Sequence, residues 1–175
     1  MLAWNFFPLL ASLALAGIAK RSIETDVSIY AYGVGINGLP IIADVNSMAV
    51  IADNATAAAN GLRNITWTID TEGIAPWNVS ITNSSVGQFY IVPSSSEHQA
   101  VGFNTTLPAG AATIGFVIYG RTVEYATETT YESQFYAQNS STGVWNLWWN
   151  SNSTTVDDSV PVVLKTVGPS PQSTD

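Results

Sequence analysis

The chain has 175 residues, of which 46% are hydrophobic and 10% charged, with 13 acidic residues against five basic ones, one histidine and no cysteine. The apolar content excludes an intrinsically disordered chain, and the lack of sulfur ligands excludes a disulfide scaffold, a thiol enzyme and a cysteine-based zinc site. The net charge of −8 argues against nucleic acid as a partner, because few basic side chains are available to neutralise phosphates.

The first 21 residues are interpreted as segments that are removed during maturation. Phe6–Ala19 is an apolar run that is short for a membrane span and ends in small residues, so residues 1–19 are predicted to be a signal peptide. Lys20 and Arg21 follow directly, as at the cleavage site of a kexin-type processing protease. Cleavage there leaves three basic residues against 13 acidic ones, a net charge of −10 that favours a soluble monomer.

Acceptor patterns for N-glycosylation are more frequent in the chain than the roughly three that chance would give. The seven N-x-S/T sequons begin at Asn54, Asn64, Asn78, Asn83, Asn104, Asn139 and Asn152. We therefore expect a secreted or wall-associated glycoprotein. The polar segment 168–175 is predicted to be a disordered Pro/Ser tail, and no hydrophobic anchor signal follows it, so no membrane anchor is expected.

Alternation of apolar and polar residues dominates between these two ends, and it predicts ten to twelve short antiparallel strands. The candidate strands are 27–32, 39–43, 48–52, 63–70, 78–82, 88–92, 100–104, 113–119, 122–125, 131–138, 144–150 and 160–166. Regular short strands of this kind indicate one all-β domain over residues 22–167, built as a β-sandwich or jelly roll. Three consecutive alanines within Asn54–Gly61 predict a helical turn.

Local motifs refine this picture. Gly33–Gly38 matches G-x-G-x-x-G, but Leu39 and Pro40 lead into another strand instead of a helix, so the glycines are interpreted as a hairpin and not as a dinucleotide site. In the strand 63–70, Ile65, Trp67 and Ile69 share one face and the sequon residue Asn64 lies on the other. Because a glycan cannot point into a core, the apolar face of this strand is expected to be buried.

Two groups of residues are candidates for chemistry or binding. Glu124 and Glu132 would approach each other if their strands form a hairpin, and a carboxylate pair is the machinery of glycoside hydrolysis. In the segment 144–150, Trp148 lies between Asn146 and Asn150 on the face opposite the expected core, an arrangement that suits stacking on a sugar ring. Tyr136 is expected to contribute to the same aromatic face.

Cofactors are not expected. One histidine, His98, and no cysteine cannot build a zinc or copper site without several carboxylates. Asp44, Asp53 and the pair Asp157–Asp158 offer oxygen ligands for a structural calcium ion, but their spacing matches no calcium-binding loop, so solvated turn residues are the better interpretation.

Three parts of the chain form a recognisable combination: the signal peptide with Lys20-Arg21, the opening Tyr30–Pro40 with Ala43-Asp44 after it, and the closing Trp145–Trp149 with Val160–Lys165. In this combination the chain as a whole resembles small secreted fungal glycoproteins of unknown function. It implies an extracellular or cell-wall setting and assigns no catalytic residue. The leading hypothesis is a non-enzymatic wall protein that binds polysaccharide. The alternatives are a glycan-active enzyme that uses the carboxylate pair and an effector that binds a host protein.

Overall fold

The computed structural model describes residues 22–81, 84–94, 97–140, 143–152 and 155–170. Over these residues the secondary structure is almost entirely β, with one short helix, and no helix is long and apolar enough to cross a membrane. The elements in chain order are β1 Ile23–Val27, β2 Tyr30–Gly33, β3 Ile36–Ala43, β4 Ala49–Ile51, α1 Asn54–Ala59, β5 Thr66–Asp70, β6 Asn78–Ile81, β7 Ser84–Tyr90, β8 Gln99–Ala100, β9 Gly102–Asn104, β10 Phe116–Tyr119, β11 Thr122–Ala126, β12 Tyr131–Glu132, β13 Phe135–Asn139, β14 Trp145–Trp149 and β15 Ser159–Lys165.

The strands form two antiparallel units, which confirms the all-β prediction. One unit is a five-stranded sheet in the order β1-β5-β6-β7-β9. In the other, β15-β13-β14-β4-β3-β2 closes into a six-stranded barrel, because β15 also pairs with β2. The barrel carries an extension of β10, β11 and β12, which is attached where Thr122 pairs with Lys165. The closed barrel was not expected from the sequence, and the pairings do not establish a jelly-roll order.

One contiguous hydrophobic core draws on both units. Phe89 from the five-stranded sheet contacts the rings of Trp67, Phe116 and Phe135, with centroid separations of 5.0, 4.6 and 6.5 Å. The strand 63–70 buries its predicted face, since Trp67 and Ile69 are almost fully buried. Burial of large apolar side chains of this kind contributes about 1.5–3 kcal/mol each, which supports a fold without disulfides.

The helical turn predicted after β4 is confirmed as α1. Asp53 caps its N-terminus, since the carboxylate accepts a hydrogen bond from the backbone N–H of Thr56 at 2.8 Å. Ala57 of α1 packs with Ile42 and Val50, whose side chains form a second, smaller apolar cluster. The helix therefore shields apolar residues of β3 and β4 from water.

The glycine-rich motif forms the β2–β3 hairpin, as predicted. Gly33 pairs with Ile36 around a two-residue turn, and Gly35 adopts a φ of 75°, which side-chain-bearing residues rarely reach. Three predicted strands are each divided in the structure. Residues 27–32 are divided between β1 and β2, residues 100–104 between β8 and β9, and residues 131–138 between β12 and β13, because each segment leaves one sheet partner and joins another.

Candidate functional site

The aromatic motif of residues 144–150 lies on the β13–β14 hairpin. Leu147 and Trp149 are buried in the core, so the alternation of side chains places Asn146 and Trp148 on the outer face. The cross-strand register sets Tyr136 directly opposite Trp148. The structure therefore brings together the two aromatic residues that the sequence singled out.

Trp148 is half-buried. The His98 ring packs edge-to-face on it, with 4.8 Å between centroids and 66° between planes, and Asn150 beside it is only 1% exposed. The space enclosed by these side chains has no room for a water molecule. The indole N–H of Trp148 is shielded from solvent, and none of the residues that the structure describes accepts a hydrogen bond from it. A groove of about 200 Å³, lined also by Asp44 and Asn146, gives access to Trp148.

Glu124 and Glu132 lie on paired strands but on opposite faces. In the β11–β12 hairpin, Tyr125 pairs with Glu132 and Ala126 pairs with Tyr131. Because successive side chains alternate between faces, Glu124 points away from Glu132. Burial raises the pKa of Tyr125, and the neighbouring charge of Glu132 raises it further. The structure does not bring the two carboxylates to a common cleft, as an acid–base pair for glycoside hydrolysis requires.

The outer face of β10, β11 and β12 carries an exposed pair of aromatic rings. Tyr119 is 71% exposed and Tyr131 is 65% exposed, and their rings stack with 6.0 Å between centroids and 23° between planes. Tyr119 pairs with Thr122 at one end of β11, and Tyr131 pairs with Ala126 at the other. Glu124 lies between these two positions on the same face. We call Tyr119, Glu124 and Tyr131 the tyrosine face.

Glu124 is a partly buried acceptor within the tyrosine face. Burial raises its pKa above the ordinary value for a glutamate. Its cross-strand partner is Val117, and the turn at Gly73 lies close against that valine. The turn is attached to the strand through a hydrogen bond from the N–H of Gly115 to the carbonyl of Gly73, at 2.8 Å. This arrangement combines two rings that can stack on a ligand with a carboxylate that can accept hydrogen bonds from it.

Two of the acidic residues considered as calcium ligands, Asp44 and Asp53, hold local backbone structure through their side chains. The Asp44 carboxylate accepts backbone hydrogen bonds from Asn46 at 2.8 Å and Met48 at 2.7 Å, while Asp53 caps α1. Within the part of the chain that the structure describes, no three residues of the metal-ligating types lie together. A structural calcium ion stays an untested alternative from the sequence.

The sequon asparagines lie at the surface wherever the structure describes them. Asn104 is half-buried, and the other five are exposed: Asn54, Asn64, Asn78, Asn139 and Asn152. Asn83 and the dibasic pair Lys20–Arg21 lie outside the described residues. Attached glycans at these six positions would not have to enter the core.

Tyr119 and Tyr131 are the candidate residues that sequence reasoning missed. The segment 113–119 is dominated by apolar residues, so its composition predicts a strand without distinguishing an inner from an outer face. The useful signal was alternation: Phe116 is buried, so Tyr119, three residues further along, lies on the opposite face. Nothing in the sequence showed that Tyr131 would reach the same face, because its position depends on the register of β12.

No family model matches the chain, and no match was found among curated proteins or solved structures.

Proposed function

We propose that the protein is a secreted, N-glycosylated surface or cell-wall glycoprotein that binds a neutral polysaccharide through the tyrosine face and catalyses no reaction. The observation that carries this proposal is the stacked, exposed pair of Tyr119 and Tyr131 beside Glu124. Flat aromatic rings offer apolar area to the C–H face of a sugar at a low cost in side-chain entropy. The Glu124 carboxylate accepts hydrogen bonds from the sugar hydroxyls.

Charge favours a neutral ligand. The chain carries a net charge of −8, and the polar group at the centre of the tyrosine face is itself a carboxylate. An anionic polymer would be repelled at long range by the protein and at short range by Glu124. Hydroxyl-rich neutral glucans and chitin carry no such penalty, and they supply the donors that the carboxylate needs.

The distribution of sequons leaves this face accessible. Seven sequons occur in the chain, yet residues 105–138 contain none, and this stretch includes all of β10, β11 and β12. We therefore expect no glycan to be attached within the strands that carry the tyrosine face. A protein that displays one uncovered aromatic face has the organisation expected of a binding surface.

The test is a pull-down of the secreted protein on insoluble chitin, β-glucan and cellulose, followed by an affinity measurement on the polymer that retains it. We expect Tyr119→Ala and Tyr131→Ala each to weaken binding about 2- to 10-fold, which is the range that one lost ring contact corresponds to. Tyr119→Phe retains the ring, so its affinity should stay within about twofold of the parent protein.

Trp148→Ala is the matched control, because it removes an aromatic side chain from the other candidate surface. Binding that is lost in Trp148→Ala but kept in both tyrosine variants would refute the tyrosine face as the binding surface. Retention on none of the three polymers would refute neutral wall polysaccharide as the ligand class. That result would favour the effector hypothesis, in which a host protein is the partner.

A further inference from the structure

A groove of about 500 Å³ lies beside the β2–β3 hairpin, and no residue of the tyrosine face belongs to its lining. Its apolar walls include Tyr30, Pro40 and Ile65, and its polar rim includes Asp53. The Tyr30 ring is supported from behind by Gly168, where an added Cβ would come within 3.1 Å of the ring. The groove has the size and the mixed polarity of a site for a small saccharide.

Two sequon asparagines belong to the lining of this groove. Asn54 is the first residue of α1, and Asn64 precedes β5 in the chain; both are exposed. The whole Asn64 sequon takes part, since Ile65 and Thr66 line the groove as well. Four other sequon asparagines are described, and none of them lines this groove, the enclosed space beside Trp148 or the groove next to Asp44: Asn78, Asn104, Asn139 and Asn152.

A glycan attached at Asn64 would be held at the groove by a covalent link. Tethering of this kind raises the effective concentration of the first sugars to the millimolar range, so even weak contacts are occupied. The N-acetylglucosamine units at the base of an N-linked glycan present an apolar face and an acetamido methyl group, which suit Tyr30 and Pro40. Asp53 is hydrogen-bonded to the N–H and the hydroxyl of Thr56, at 2.8 and 3.1 Å, and its carboxylate has further lone pairs for sugar hydroxyls.

We propose that this groove binds the chain's own N-linked glycan at Asn64. The first sugars of that glycan pack on Tyr30 and Pro40, and we call this bound arrangement seating. The inference rests on the proposed secretion and glycosylation of the protein. Seating stabilises the folded state, because the contacts are absent when the chain unfolds. It also removes the groove from competition for outside ligands and leaves the tyrosine face as the open saccharide surface.

The test compares two glycans on the same secreted protein. An endoglycosidase that cuts within the chitobiose core is applied under native conditions, and the rate of release is followed by mass spectrometry of peptides containing Asn64 or Asn139. We expect release at Asn64 to be at least about tenfold slower than release at Asn139. This ratio corresponds to a free energy of about 1.4 kcal/mol for binding of the glycan to the groove. After denaturation the two rates should become similar.

A second arm measures stability. Asn64→Gln should lower the Tm of the glycosylated protein by about 3–6 °C, whereas Asn139→Gln, which removes an exposed sequon outside the groove, should leave it unchanged. Equal native release rates at the two sites, or an unchanged Tm in Asn64→Gln, would overturn the seating. An unmodified Asn64 in the mass spectrum would also overturn it, whereas a protein without any glycan would refute the proposed glycosylation as well.

Discussion

Asp70 provides a quantitative test of how the turn beside the tyrosine face is held. This residue ends β5 and is only 2% exposed. Its Oδ2 atom accepts hydrogen bonds from the backbone N–H groups of Ile74 at 3.0 Å and Ala75 at 2.7 Å, and Oδ1 lies 3.4 Å from the N–H of Glu72. A buried carboxylate therefore satisfies the donors of the turn that carries Gly73 against β10.

Asp70→Asn keeps the size of the side chain but removes its charge and one acceptor oxygen. Hydrogen bonds to a charged group are worth about 1.5–3 kcal/mol and neutral ones about 0.5–1.5 kcal/mol, so two weakened bonds cost about 2 kcal/mol. The new amide N–H₂ also faces a backbone donor, which adds about 1 kcal/mol or more. We expect a loss of about 3 kcal/mol in the free energy of unfolding, or about 6–12 °C in Tm.

Asp44→Asn is the matched control, since Asp44 also accepts two backbone N–H groups in a turn but is half-exposed. Water can replace the lost acceptor there, so a cost of about 1 kcal/mol is expected. Urea unfolding at neutral pH measures both variants. An Asp70 variant within about 0.5 kcal/mol of the parent protein, or an Asp44 variant that is destabilised as strongly, would contradict the role of the buried carboxylate in this turn.

Three further predictions concern the core, the tyrosine face and the five-stranded sheet. Phe89→Ala should destabilise the protein by about 3–5 kcal/mol in urea unfolding, because it empties the centre of the aromatic cluster; a loss below about 1 kcal/mol would contradict that role. Burial raises the pKa of Glu124 in the folded state above the ordinary value of 4.5, so its contribution to stability is greatest in acid and is lost as the pH rises through the raised pKa; Glu124→Gln should flatten this fall at pH values above the ordinary one, and an unchanged pH profile would argue against burial as the cause. Gly87→Ala should cost about 3 kcal/mol or abolish folding, since φ is +145° and an added Cβ would lie 2.6 Å from backbone atoms of Asn104; near-parental stability would show that the two strands can separate there.

The facing of individual strands could be predicted from the sequence, because alternation is a local property. Trp67 and Ile69 are buried on the face that the neighbouring sequon at Asn64 marked as inward. The closure of the barrel was not predictable in this way. It depends on the pairing of Lys165 with Tyr30, which lie far apart in the chain, and side-chain alternation carries no information about which strands become partners.

The candidate site shows the same limit at the level of register. The hypothesis of a carboxylate pair depended on the condition that the strands of Glu124 and Glu132 pair with each other. The strands do pair, but the approach of the two carboxylates required a register that the turn between them does not produce. A shift of one residue exchanges the faces of a strand, so pairing of Tyr125 with Glu132 is enough to separate the carboxylates. The edge-to-face contact of His98 with Trp148 likewise joins segments that are distant in the chain, so no local sequence pattern encodes it.

The bare tyrosine face can be tested by adding a glycan to it. Gly120, in the β10–β11 turn next to Tyr119, precedes Arg121 and Thr122, so Gly120→Asn creates an acceptor pattern there. Gly120 has a φ of 66°, which asparagine tolerates, and no atom lies within 4 Å of an added Cβ. The new glycan should block the tyrosine face and reduce polysaccharide binding at least about tenfold, whereas the similarly shaped but unglycosylated Gly120→Asp should bind like the parent protein. Undiminished binding by a protein that carries the added glycan would mean that the ligand is held on another surface.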